Sequence, residues 1–190
     1  MTLTVEHLLS IARRYWPADK EKYLHPESSP EVARFHALWE EELQKMERWA
    51  SFVRALNRNL PGFTLGNVTA PVDACLRCAA YPEKDFERPG LRWVVVGCLS
   101  ILAPVYTLYG VQYTYSDTKR LGHKVFFEPL PVEMQAPADI ISRGLESTFG
   151  VSRLPRELAE TPVPLFVDPR QPPHTNLFHA LFISQPESVP

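Results

Sequence analysis

The chain has 190 residues, 45% hydrophobic and 22% charged, with a formal net charge of −2. Those values argue against disorder away from the ends, and against a protein held on nucleic acid by bulk charge, which needs a strongly basic surface. The length suits one domain with a sizeable core, and 19 Pro against 8 Gly, with Pro heavy from Pro129 onward, predict rigid loops and short elements in the C-terminal third.

At the N-terminus, Val5, Leu8, Leu9, Ala12 and Trp16 share one face of a helix expected over residues 4–16, with Thr4 as N-cap and Pro17 as its end. Glu6 precedes Arg13 and Arg14, the reverse of an export signal. Three cysteines, an odd number, speak for a reducing compartment, and the expected location is the cytoplasm. Residues 17–28 read as a polar connection. Ser29-Pro30, an N-cap followed by Pro at the first helical position, then opens the longest periodic stretch. Val32, Phe35, Trp39, Met46, Trp49, Val53, Leu56 and Leu60 recur in three–four steps, interrupted where Glu42 occupies a seam position. The spacing predicts one helix of roughly 28 residues, about 40 Å long, stopped by Pro61-Gly62. Leu38, Leu43 and Phe52 widen its stripe beyond a coiled-coil seam, so it should pack on a sheet or helix. Glu42 should lie at the stripe's edge or meet a cation.

FTLGNVTAP (63–71) alternates like a strand, VDACLRCAAYP (72–82) reads as a short helix capped by Asp73, and FERPG (86–90) as a turn. From Leu91 to Tyr115 comes the stretch around which the rest is arranged, with no charged side chain between Arg92 and Asp117. Trp93–Ala103 is almost continuously apolar, as in a strand buried on both faces. Val105, Thr107, Tyr109, Val111, Tyr113 and Tyr115 then alternate with Tyr106, Leu108, Gly110, Gln112 and Thr114, and Pro104 marks the break. Two neighbouring central strands follow. A membrane helix is the competing reading of so long a charge-free window, and Pro104, Gln112, the tyrosines and the two-residue period speak against it.

SDTKRLGH (116–123) reads as a polar connection and KVFFEPLPV (124–132) as a third strand. APADIISRGLESTFG (136–150) predicts a helix with Ile140, Ile141, Leu145 and Phe149 inward and Gly150 just past its end. Arg156–Glu160 suggests one more helical turn, VPLFV (163–167) and NLFHALFI (176–183) are strand-sized, and SQPESVP (184–190) should fray. Helices followed by a meander with an inserted helix predict an α+β fold: a mostly antiparallel central sheet with the long N-terminal helix packed on one face. One domain is expected over 1–190, helical over 1–62 and sheet over 63–190 with a helix near 137–149.

Cys75 and Cys78 form the one metal- or redox-type spacing, but a structural zinc site needs four ligands and the second pair is missing. Cys98 lies in the most apolar stretch, and nothing in the spacing of His123, His174 and His179 requires a site. No cofactor, metal ligand or catalytic residue is expected: the phosphate-binding, dinucleotide, metalloprotease and nucleophile-elbow motifs are all missing. What remains points to partner contacts. Glu40, Glu41 and Glu47 should be exposed on the long helix, and Tyr106, Tyr109 and Tyr113 are interface candidates wherever the sheet leaves them uncovered. The competing reading of those rings is sheet-face packing.

The amphipathic helix over Ser29–Leu60, the tyrosine-rich VYTLYGVQYTY and the Pro-rich LPRELAETPVPLFVDPRQPP together resemble the small immunity proteins of bacterial polymorphic-toxin and contact-dependent killing systems, of the myxobacterial type. The resemblance covers most of the chain and carries no residue roles. It implies a non-enzymatic protein that binds a cognate protein toxin and blocks its active site. Two other readings stand beside it: a cytosolic enzyme or small-ligand protein with a pocket between the long helix and the sheet, and a homodimer that covers an aromatic face.

Overall fold

The structure, a computed structural model, describes residues 3–84, 90–117 and 119–190. Helix α1 (Val5–Ala12) starts where Thr4 accepts the His7 amide on its hydroxyl at 3.2 Å. It stops at Ala12, short of Pro17, because Trp16 must turn inward to donate its indole N–H to the Ala180 carbonyl at 2.7 Å. The connection that follows is not featureless. Asp19 caps a short helix, α2 (Lys20–Leu24), by accepting the amides of Glu21 and Lys22.

The expected single long helix is two: α3 (Pro30–Gln44), capped by Ser29, and α4 (Met46–Asn59), separated at Lys45. Neither Gly nor Pro breaks it; the two halves bury their stripes in different places. Phe35 of α3 packs on Trp16 at 4.6 Å and Trp39 donates to the Asp73 carbonyl at 2.9 Å. On α4, Trp49 donates to the Asn67 side chain at 3.0 Å, with Phe52, Val53 and Leu56 buried. One straight rod cannot reach both destinations. Lys45, at φ −101° and ψ 3°, absorbs the turn, and its ammonium meets Glu42 at 2.9 Å, the cation expected for that seam carboxylate.

The sheet runs β1 (Phe63–Asn67), β2 (Cys75–Pro82), β3 (Leu91–Ser100), β4 (Val105–Ser116), β5 (Lys119–Phe126), each antiparallel to the next. A two-residue β6 (Ser152–Arg153) adds parallel to the start of β4. The architecture is α+β. Strands β3 and β4 pair as expected, Val94 opposite Val111 and Gly97 opposite Leu108, with the chain reversing through 101–104. The turn expected at FERPG lies outside the described residues except for Gly90.

Two expectations change here. VDACLRCAAYP is no helix: Cys75–Pro82 is a central strand, despite its helix-forming Leu, Arg and Ala. Its Cys75, Cys78, Ala79 and Ala80 are all 0% exposed, so small side chains serve close approach on both faces of the sheet, and tertiary packing overrides local preference. The polar SDTKRLGH is mostly strand, because β4 and β5 close as a tight hairpin pairing Ser116 with Lys119.

On one face, the helix face, α5 (Val132–Phe149) lies across β3 and β4 and touches α4 through Phe149, which meets Trp49 and Phe52. Gly97 and Gly110 let α5 approach: a Cβ on Gly97 would stand 2.6 Å from Ile141, and one on Gly110 would strike Met134. Gly150, at φ +66°, ends α5 in the left-handed conformation. The opposite face is covered by the C-terminal third, in which α6 (Arg156–Ala159) is the expected helical turn, and α1 packs against its residues 177–181. Residues 177–181, expected as a strand, form α7 (Leu177–Leu181), and 163–167 join no strand of the sheet. Asn176 starts α7 with a capping box, accepting the His179 amide while His179 Nδ1 accepts the Asn176 amide.

Residues 184–190 do not fray. They cross this face as a strap, with Pro186 and Val189 buried. Side-chain donors from the sheet hold its carbonyls, a tertiary effect that composition does not disclose.

Candidate interaction surface

The six partner contacts expected from the sequence fall into three groups. Glu40 and Glu41 are exposed near the end of α3 and form no ion pair among the described residues. Glu47 is exposed but already occupied: Arg54 Nη2 donates to it at 2.5 Å and Ser51 at 3.2 Å, and both hydrogen bonds hold its carboxyl below the usual range. The tyrosines are not a surface. Tyr106 and Tyr109 are 0% exposed and Tyr113 is 7% exposed, because β4 is central and covered on both faces.

Each ring has a structural duty. Tyr106, on the helix face, donates to Glu146 at 2.5 Å and lies 2.6 Å from the Ser142 hydroxyl; Arg153 donates to both Tyr106 and Ser142 and pairs with Glu128. Burial, then the Glu146 carboxylate, pushes the Tyr106 phenol up. Tyr109 packs edge-on against Phe178 at 6.0 Å. Tyr113 lies under the strap with Arg120 stacked 4.0 Å over its ring.

The cysteines make no site. Three residues apart in a strand, Cys75 and Cys78 point to opposite faces, which forbids a shared ligand. Cys78 meets the helix face under Gly97, and Cys75 lies on the strap face beside Cys98. Burial pushes the Cys78 thiol up to about 12 and Cys75 well above its ordinary value, so both stay protonated and inert as nucleophiles. His179 serves its helix cap. Among the described residues no group of three His, Cys, Asp or Glu side chains is placed to hold a metal ion, and no helix is long and apolar enough to cross a membrane.

Sequence reasoning missed a groove of 540 Å³ where residues 15–17, α2, α3 and residues 71–72 meet. Its floor is aromatic: Trp16 on Phe35 at 4.6 Å, and Tyr23 stacked on Phe166 at 5.1 Å, with Tyr23 also donating to Asp168 at 2.9 Å. Burial, then that carboxylate, pushes the Tyr23 phenol up. Two large apolar side chains stand open to water on its lining, Leu24 at 54% and Val72 at 79% exposed. His36 of α3 lines the groove, and Glu40 lies one turn further along the same helix. No signal in the sequence joins residues 15–36 to 71–72 and 166, because the contacts are long-range.

Among the cavities described, none is lined by α4, and the one lined by α3 has no strand residue on its lining. A cavity of 250 Å³ lies instead between the sheet and α6–α7, lined by Glu128, Arg156, Glu160 and His179 over Phe127 and Phe178. Its charges are already paired, Arg156 with Glu160 at 2.7 Å and Glu128 with Arg153, which lies outside the lining. Comparison of the chain with protein-family models, with curated proteins and with solved structures returned no match.

Proposed function

We propose that the chain is a non-enzymatic binding protein of the immunity type, acting in the cytoplasm by docking on a cognate protein toxin and occluding its active site. The observation that supports this reading is the aromatic groove with Val72 and Leu24 exposed on its lining. Water-facing apolar side chains over an aromatic floor cost solvation in the free chain and give binding energy when covered, the character of an interface hot spot. The acidic end of α3 supports it as well. Glu40 and Glu41 lie near a helix C-terminus, where negative charge opposes the helix dipole, so folding gains nothing from them. Set beside the groove, they would steer a basic partner and raise its association rate.

The test is co-expression with the product of the adjacent gene, read as rescue from toxicity and as a stable complex. Val72→Glu is expected to abolish both while leaving the melting temperature within a degree or so, since an exposed position tolerates the change. Full rescue by that variant, or a purified chain that turns over a small molecule beside a harmless neighbour, would sink the reading.

A further inference from the structure

Residues 185–190 lie against the sheet without joining its ladder. The Glu187 carbonyl accepts from Tyr113 Oη at 2.9 Å and Arg120 Nη2 at 3.3 Å, the Ser188 carbonyl from Arg77 Nη1 at 3.1 Å, and the Pro190 carbonyl from Tyr81 Oη at 2.8 Å. The strap's own amides turn back on itself, Ser188 donating to Gln185 at 3.0 Å and Val189 to Glu187 at 3.1 Å. Pro186 and Val189 supply the buried apolar contacts. The sheet therefore holds a row of donors, on β2, β4 and β5, that recognises carbonyls in a turned peptide.

Such a row reads backbone positions and two apolar anchors rather than a particular neighbour in the chain. Release of the strap breaks no sheet hydrogen bond, so it should open at a free energy well below that of global unfolding. Beneath it lie Asp73 and Arg77, a buried pair 3.3 Å apart, and a cavity of 260 Å³ lined by Arg77, Ser184 and Ser188. The identical segment of another copy makes the same contacts with no new chemistry, which is the basis of segment exchange between protomers.

We propose that Tyr81, Arg77, Tyr113 and Arg120 form a peptide-binding site, filled here in cis by residues 185–190 and able to take the same segment from a second copy of the chain. The ligand is a short turned peptide presenting three carbonyls, with an apolar residue three positions beyond a proline. This proposal uses a different surface from the aromatic groove and does not depend on the occlusion reading. A tethered segment has an effective concentration on the order of mM, so the parent chain should resist added peptide until that range.

The experiment is an NMR titration of the Val189→Asp variant, whose own strap has lost one of its two apolar anchors, with a synthetic peptide of sequence SQPESVP. Saturable shifts are expected around Arg77, Tyr81, Tyr113 and Arg120, weakened about tenfold when Tyr113→Phe and Arg120→Ala are added. A peptide with Asp in place of the Val should not bind. If Val189→Asp does not fold, the milder Val189→Ala variant carries the same titration. Failure to saturate by about 10 mM, well past the tethered range, overturns the proposal, and so does equal binding of the two peptides.

Discussion

Three tryptophans show how single side chains join distant parts of the chain: Trp16 donates to Ala180, Trp39 to Asp73 and Trp49 to Asn67, each indole spending its one polar atom on a long-range acceptor. At the same scale, two buried titratable groups pull stability in opposite directions. Burial pushes Asp73 from its ordinary value of 3.8 up to about 6, with Arg77 pulling back only part of that. Its folded form holds the proton more tightly, so its contribution is full below 3.8 and is lost as pH rises through 6. Burial, then the Arg170 cation, pushes His179 from 6.5 down to about 4, so its contribution is full above 6.5 and is lost as pH falls through 4. Each is worth on the order of 3 kcal/mol, and they nearly cancel between those limits. Relative to the parent, Asp73→Asn should lose stability as pH falls from 6.5 to 4, and His179→Gln, which keeps an acceptor for the cap, should gain it. Urea midpoints across that range check the signs, and parallel slopes for the two variants would refute the assignment. Gly97→Ala belongs to the same scale: its Cβ, 2.6 Å from Ile141 in a packed interior, should cost about 1–3 kcal/mol, and Ile141→Val should recover part of that in a double-mutant cycle.

Among the elements, α3 and α4 show that a helical period running on past one polar seam position does not guarantee one helix. The stripe from Phe35 to Leu56 resumes its three–four steps after Glu42, yet the two ends pack on different bodies and Lys45 turns between them. Helix α7 shows the converse, a run that looks like a strand and folds as five helical residues because Asn176 caps it. So short a helix has little intrinsic stability. Asn176→Ala should therefore cost about 1 kcal/mol, read as a lower urea midpoint. No change at all would mean that packing of Leu177, Phe178 and Leu181 suffices without the cap.

The molecule as a whole has a central sheet covered twice, by α4 and α5 on one face and by the C-terminal third and the strap on the other. That double cover buries Tyr106, Tyr109 and Tyr113, so the proposed docking on a toxin rests on the groove and the end of α3. Reversing both charges there, Glu40→Lys with Glu41→Lys, should leave the fold intact or slightly firmer, since cations suit a helix C-terminus. It should slow association with a partner several-fold at low salt and weaken the salt dependence, as surface-plasmon kinetics would register. Unchanged kinetics would remove this end of α3 from the interface.

The sequence by itself determined the local grammar. Thr4 and Ser29 as caps, Gly150 as a stop, Pro104 as the break between β3 and β4, and the apolar run of Trp93–Ala103 all act through neighbours in the chain, so periodicity and turn chemistry disclose them. Together they made the α+β class legible. Tertiary structure alone decided that Cys75–Pro82 is a strand, that Lys45 turns the helix, that residues 184–190 are held down, and that Val72 and Phe166 meet in one groove. The physical reason is common to all four. Each follows from burial against residues far away in sequence, and contacts of that kind override propensities worth only tenths of a kcal/mol per residue.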